Sequence, residues 1–150
     1  GQYTAKRIAK WLLYFNRKRM NEEDADYISN LKLQKLLYYA QGSYLALRGR
    51  RLFNEDILAW EHGPVVREIY DEYKNYGSRG IEYEDDYTDE IDSDTESILI
   101  QVYDLFGQYS AWGLRNKTHE ETPWKETERN HVIDIDLIKD YFESNYVEET

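Results

Sequence analysis

The stretch from Leu31 to Leu47 constrains the fold more than any other part of the chain. Leu33, Leu36, Leu37, Ala40, Tyr44 and Leu47 recur at spacings of three and four, the period of a helix with one apolar stripe. Ser29 or Asn30 supplies an N-cap and Gly49 a stop, so a helix is expected between them. Burying one such leucine is worth about 1.5–3 kcal/mol, and the stripe must therefore face protein rather than water.

The same period returns along the chain. Thr4 caps a first helix with Ile8, Trp11, Leu12 and Phe15 inside, followed by a polar, acidic stretch from Met20 to Tyr27. After Gly49 the pattern changes. Arg51 to Phe53 and Ile57 to Trp60 read as extended runs of a small hairpin, separated by Asn54, Glu55 and Asp56. Gly63-Pro64 is expected to open a third helix with Val66, Ile69, Tyr70 and Tyr73 inward and Gly77 at its end. Residues 78–96 crowd like charges together and read as a mobile loop. Ser93-Asp94-Thr95-Glu96 then reads as a capping box opening a helix with Ile98, Leu99, Val102, Leu105, Phe106 and Tyr109. A short turn around Ala111 to Leu114, a short helix from Thr122-Pro123 to about Arg129, and a last helix from near Asp136 complete the pattern. In that last helix Leu137, Ile138, Tyr141 and Phe142 are expected inside. The fold class expected is mainly α, a single compact domain over residues 1–150 with about six helices and one small β-hairpin, and no internal repeat.

Composition agrees that the chain folds. Leu, Ile, Val and Phe make up 34 of 150 residues, above the roughly 20% below which a highly charged chain stays disordered. The absence of cysteine removes disulfides, thiolate metal sites and thiol nucleophiles together. No apolar run is long enough to span a bilayer, and Gly1-Gln2 opens neither with Met nor with an apolar secretory segment. A cytoplasmic protein is the simplest reading.

Charge is distributed unevenly. Residues 1–53 hold 11 basic and 4 acidic side chains, net +7, whereas residues 54–150 hold 8 basic and 26 acidic ones, net −18. Either the two parts attract each other within one domain, or the acidic surface is displayed to a basic partner. A total of −11 opposes a large phosphate-binding surface, so a nucleic-acid partner is not expected. An acidic segment that imitates a nucleic-acid backbone fits the charge better. Fifteen tyrosines against four phenylalanines give many aromatic bodies a hydroxyl able to reach a wet boundary, as binding surfaces use.

Catalytic chemistry finds little support. His62 follows Glu61, His119 precedes Glu120 and Glu121, and His131 lies near Glu128, but no pair of histidines has the helical spacing of a zinc motif. His62 and His119 are expected to satisfy buried backbone groups, and His131 to be solvated. There is no phosphate-cradling glycine loop, serine elbow or dinucleotide fingerprint. No catalytic, metal or cofactor residue is assigned.

Two motifs, Leu31-Lys32-Leu33-Gln34-Lys35-Leu36-Leu37-Tyr38-Tyr39-Ala40-Gln41-Gly42 and Ala59-Trp60-Glu61-His62-Gly63-Pro64-Val65-Val66, resemble those of the Panacea domain family. That family includes the SocA-like antitoxins and the phage-associated GepA proteins. A third motif follows in the same order, Thr118-His119-Glu120 with Pro123-Trp124 after the turn at Ser110 to Leu114. His62 stands where many members of the family carry Tyr, which argues against an obligatory imidazole there. The resemblance implies an antitoxin without catalysis, which neutralises a cognate protein toxin by direct contact, occluding or distorting its active site. It also implies an alternative, an adaptor that delivers the toxin to a bacterial AAA+ protease, and the charge leaves a further one, a phage-encoded acidic inhibitor of a host protein, acting as a nucleic-acid mimic. Partner-binding candidates are Trp60, His62, Pro64, His119 and Trp124 on resemblance, and Tyr83, Glu84, Asp85, Asp86 and Tyr87 on charge. The sequence sets no oligomeric state.

Overall fold

The computed structural model describes residues 1–22, 25–84, 87 and 90–147. Its centre is α2, Asn30–Arg48, formed where the apolar spacing places it. Ser29 is the N-cap, its hydroxyl accepting from the Lys32 N–H at 3.3 Å. Gly49 ends the helix at φ 75°, a left-handed conformation that a residue without Cβ adopts at no steric cost. Thirteen of the nineteen residues are buried, among them Gln34, Lys35 and Gln41. A single stripe therefore understates this helix, which is packed on every side by α1 (Ala5–Glu22), α3 (Arg67–Tyr73), α4 (Ser93–Phe106), α5 (Ala111–His119) and α7 (Ile135–Asn145). At the end of the stripe Leu47 is exposed, as are Leu105 and Tyr109 on and after α4.

The caps follow the sequence closely, with shifts of a residue or so. Thr4 accepts from the Arg7 N–H at 3.2 Å and opens α1, which runs on to Glu22 into the polar stretch. Asp92, rather than Ser93, caps α4 by accepting from the Thr95 N–H. Ser110 caps α5, which continues to His119 instead of stopping near Leu114. A four-residue α6, Thr122–Lys125, follows with Pro123 in its first turn, and Asp134 caps α7. The described residues thus hold seven α-helices and a 3₁₀ turn, Lys74–Tyr76.

The hairpin forms, but not between the runs expected. Strand β1, Leu58–Trp60, pairs antiparallel with β2, Gly63–Val65, around a turn at Glu61-His62. Gly63 holds φ 111° there. Pro64 accordingly lies in a strand, and α3 starts at Arg67. Arg51 to Phe53 does not pair with β1, because Gln41 of α2 and Tyr3, which bridges to Phe53 and donates its N–H to the Leu52 carbonyl, take up its backbone. The Gln41 amide oxygen accepts from the Leu52 N–H at 2.8 Å and its nitrogen donates to the Phe53 carbonyl at 2.8 Å. On the other side of β1 runs the segment 130–133, with the Ala59 N–H donating to the His131 carbonyl and the Asn130 N–H to that of Ala59.

The basic first part and the acidic remainder meet inside the molecule. Arg19 lies 3.2 Å from Asp104, Lys6 3.6 Å from Glu72, and Arg48 pairs with Asp94. The Trp11 indole donates to Glu96 at 3.0 Å and the Arg7 guanidinium to the Glu90 carbonyl at 2.7 Å. In the stretch 78–96, Ile81 is buried and its N–H donates to the Ile28 carbonyl.

An aromatic layer joins α2 to α4 and α7. Tyr39 stacks on Phe106 at 4.0 Å between centroids, and Phe142 meets Tyr38 edge-on at 5.3 Å. Gly42 lies beneath it, where a Cβ would fall 2.4 Å from the Phe142 ring. Alanine is favoured over glycine by about 1 kcal/mol in a helix, but Phe142 is held by Tyr38, Tyr39 and Tyr146 and cannot yield cheaply. Gly42→Ala is expected to destabilise the protein by about 1–3 kcal/mol in denaturant unfolding, and an unchanged or raised midpoint would show that the ring moves freely.

Candidate functional site

The first two motifs meet at one corner of the fold. From α2, Gln34 accepts from the Val66 N–H at 2.9 Å and donates to Asn30, which donates in turn to the Tyr70 carbonyl. Beside it the fully buried Lys35 donates from Nζ to the Pro64 carbonyl at 2.8 Å. These bonds seat the β1–β2 hairpin and the start of α3 against α2. Gly63 makes the approach possible, since a Cβ there would lie 2.7 Å from Lys35 Cε and 2.9 Å from Thr118 Oγ1.

The third motif closes the same corner. The Trp124 indole donates to the Trp60 carbonyl at 2.7 Å. His119 stacks on Trp124 with ring centroids 3.7 Å apart and planes 12° apart, while the Arg129 guanidinium lies 3.6 Å from the Trp124 ring centroid. Two groups so close to one ring must take opposite faces, so the indole is sandwiched. Behind it Glu121, buried, accepts from the Tyr38 and Tyr146 hydroxyls and fastens α6 to α2 and to the end of α7. Burial pushes the Glu121 carboxyl above its ordinary value, against the two phenol bonds that favour its charge.

A groove of about 500 Å³ opens over this corner, walled by Leu31, Trp60, Val65 and Tyr70, with Gln34 and Lys35 beneath. At its mouth His62 is exposed, and its Nδ1 accepts from Arg115 Nε at 3.2 Å. The Arg115 guanidinium covers the Trp112 ring at 4.4 Å from its centroid, and Trp112 is 53% exposed. Positive charge collects here. Burial, then the charge of Arg115, brings Lys35 down to about 7. Burial, then the charges of Arg115, Lys35, Arg129 and His62, hold His119 down at about 4.

Of the sequence candidates, Trp60, His62, Pro64, His119 and Trp124 are thus brought together. Pro64 is buried and Trp60, His119 and Trp124 are half-buried, leaving His62 as the exposed member. Neither histidine satisfies a buried backbone group as expected. His62 bonds a guanidinium at the surface, and His119 packs face to face with its Nε2 buried and without a hydrogen bond. His131 is largely exposed, 3.6 Å from Glu128. Tyr83, Glu84 and Tyr87 lie elsewhere, against the acidic stretch's neighbours: Arg17 donates to the Tyr83 carbonyl, Tyr27 donates to Glu84 at 2.9 Å, and Tyr87 packs 5.7 Å from Tyr14. Asp85 and Asp86 lie outside the described residues. Sequence reasoning missed Lys35, Gln34, Gln41 and Glu121 as structural bonds and Trp112 with Arg115 as surface. For the first three the available signal was polar side chains inside an otherwise apolar motif. Among the described residues no group of three or more His, Asp and Glu is placed to hold a metal ion, and no helix is long and apolar enough to cross a membrane.

Three motifs converging on one corner define a domain type. The chain belongs to the family described as antitoxin SocA-like, Panacea domain, whose model matches residues 33–125, from α2 to α6. It is similar to Antitoxin SocA of Caulobacter vibrioides (strain NA1000 / CB15N), with 54% identity over 43 residues, which are 29% of this chain and 23% of that protein. The match thus spans less than a quarter of that relative's length. No solved structure matches the chain.

Lys35 makes stability depend on pH. Between about 7 and its ordinary 10.5 the unfolded chain holds a proton that the folded one has released, so folding becomes more favourable as pH rises across that window. The slope reaches up to about 1.4 kcal/mol per pH unit. Lys35→Met is expected to remove it, read as the change in unfolding free energy of the wild type relative to the variant between about pH 7.5 and 9.5. Parallel profiles would show that Lys35 is charged in the native state.

Proposed function

We propose that the chain is an antitoxin that neutralises a cognate protein toxin by binding it directly, with no chemical step of its own. The observation that carries this reading is the convergence of the family's three motifs on one corner, where buried bonds fix the backbone and leave His62 on an open groove with Arg115 and Trp112 beside it. Trp and Arg are over-represented among the residues that dominate protein–protein affinity, and a rigid frame lowers the ordering cost of binding. The SocA similarity supports the same class of role. Occlusion of the toxin's working surface requires only a stable face of this kind.

Four carboxylates of the acidic stretch are engaged within the molecule. Glu84, Asp92, Asp94 and Glu96 each accept hydrogen bonds within the molecule, from Tyr27, Tyr3, Arg48 and Trp11. Asp92 is held down at about 2, chiefly by the Tyr3 hydroxyl. A display of carboxylates imitating a nucleic-acid backbone would leave them free toward the partner.

Co-expression with the product of the adjacent gene is expected to restore growth that this product alone arrests, and to yield a complex that copurifies. A harmless neighbour that forms no complex would refute the antitoxin reading. Toxin half-life in cells with and without the AAA+ protease separates blocking from delivery: a blocked toxin keeps its lifetime, whereas a delivered one is shortened only when the protease is present.

A further inference from the structure

The corner that carries the motifs holds two guanidinium groups, Arg115 and Arg129, on a molecule of net −11. Several cations elsewhere meet carboxylates, Lys6 with Glu72, Arg19 with Asp104, Arg48 with Asp94, Arg67 with Asp71 and Lys139 with Glu143, while, among the described residues, Lys32, Arg51 and Arg79 bond only backbone carbonyls. Here, among the described residues, Lys35, Arg115 and Arg129 have none. Lys35 bonds only a carbonyl, Arg115 bonds His62 and Asn116, and Arg129 bonds the Trp124 and Thr127 carbonyls with its Nη1 buried and unpartnered. Glu61 is the only acid on the lining of the groove.

The geometry at the mouth is already arranged. The Arg115 guanidinium is laid flat over Trp112 and steadied by His62, which leaves its fork oriented without a counter-ion. Trp112 offers an exposed apolar face beside it, 5.6 Å from the His62 ring, and His62 in turn lines the groove whose apolar walls are Trp60, Val65 and Tyr70. An uncompensated guanidinium next to apolar walls fits a carboxylate followed by an apolar side chain. It does not fit a basic segment, which the remaining acidic surface would suit instead.

We propose that the Trp112–Arg115–His62 platform and the groove it opens on form the docking site for an acidic segment of the partner protein, with a carboxylate held by Arg115 and a neighbouring apolar side chain seated against Trp112 and Trp60. This rests on the antitoxin reading for the existence of a protein partner, and it specifies the face and the chemistry of recognition. Over residues 54–150, net −18, the chain repels the partner's acidic segment away from Arg115, and this like-charge repulsion narrows the register of docking.

The test is the affinity of the purified full chain for the product of the adjacent gene, by calorimetry, in the wild type and in Trp112→Ala, Arg115→Glu and Arg115→Lys, with thermal melting as a check on folding. Trp112→Ala is expected to weaken binding at least about tenfold and Arg115→Glu at least about a hundredfold, with Arg115→Lys between wild type and Arg115→Glu. Raising salt from about 0.05 to 0.5 M is expected to weaken the wild type more than Arg115→Glu. An Asp or Glu to Arg change in the partner is expected to restore affinity to Arg115→Glu, which no purely structural role of Arg115 produces. Wild-type binding that survives Trp112→Ala and Arg115→Glu within about threefold would overturn this docking face and leave the antitoxin reading standing. A wild type that neither binds nor rescues would overturn both.

Discussion

Gln34, Lys35 and Gln41 on α2 hold backbone that no sheet or helix otherwise satisfies, and the rest of the fold is arranged around that service. A buried peptide group without a partner costs about as much as a lost hydrogen bond, so irregular chain can lie against a central helix only where that helix supplies donors and acceptors. Gln41 stands in for a neighbouring strand beside Leu52 and Phe53. Gln34 caps the approach to α3 and Lys35 fixes the hairpin. The helix is thus both the core and the scaffold on which the loops are hung.

This dual use explains which parts of the structure were legible in the sequence. Caps and apolar periods place all the long helices, because Thr4, Ser29 and Gly49 act through local chemistry that the sequence itself displays. Partners distant in sequence decide the rest. Arg51 to Phe53 looks like half of a hairpin until Gln41 is seen to occupy its edge, and Gly63-Pro64 looks like a helix start until Lys35 is seen to take the Pro64 carbonyl. Leu47 and Leu105 fit their stripes by period yet lie at the surface, since a stripe gives direction and not the extent of what covers it.

The site was half visible for a related reason. Trp60, His62, His119 and Trp124 are conspicuous residue types in recognisable motifs, and the fold gathers them. Trp112 and Arg115 carry the exposed side of the same corner, but nothing local marks an Arg one helical turn from a Trp as surface rather than core. The asymmetry of charge misleads in the same way when taken as a sum. Part of the described acidity is answered by Arg19, Arg48, Lys6 and a neighbouring hydroxyl within the molecule, and Arg115 at the motif corner, without a carboxylate partner among the described residues, has the opposite sign to the total.

Gly63 and Lys35 occupy space that only one of them can fill. With φ at 111° and a phantom methyl falling 2.7 Å from the lysine stem and 2.9 Å from Thr118 Oγ1, position 63 tolerates a side chain only after both neighbours have given way, and even then at a cost in backbone strain. Substitutions here are therefore admissible in one historical order and not in the reverse, and descendants of such a protein should change at 35 and 118 before they change at 63.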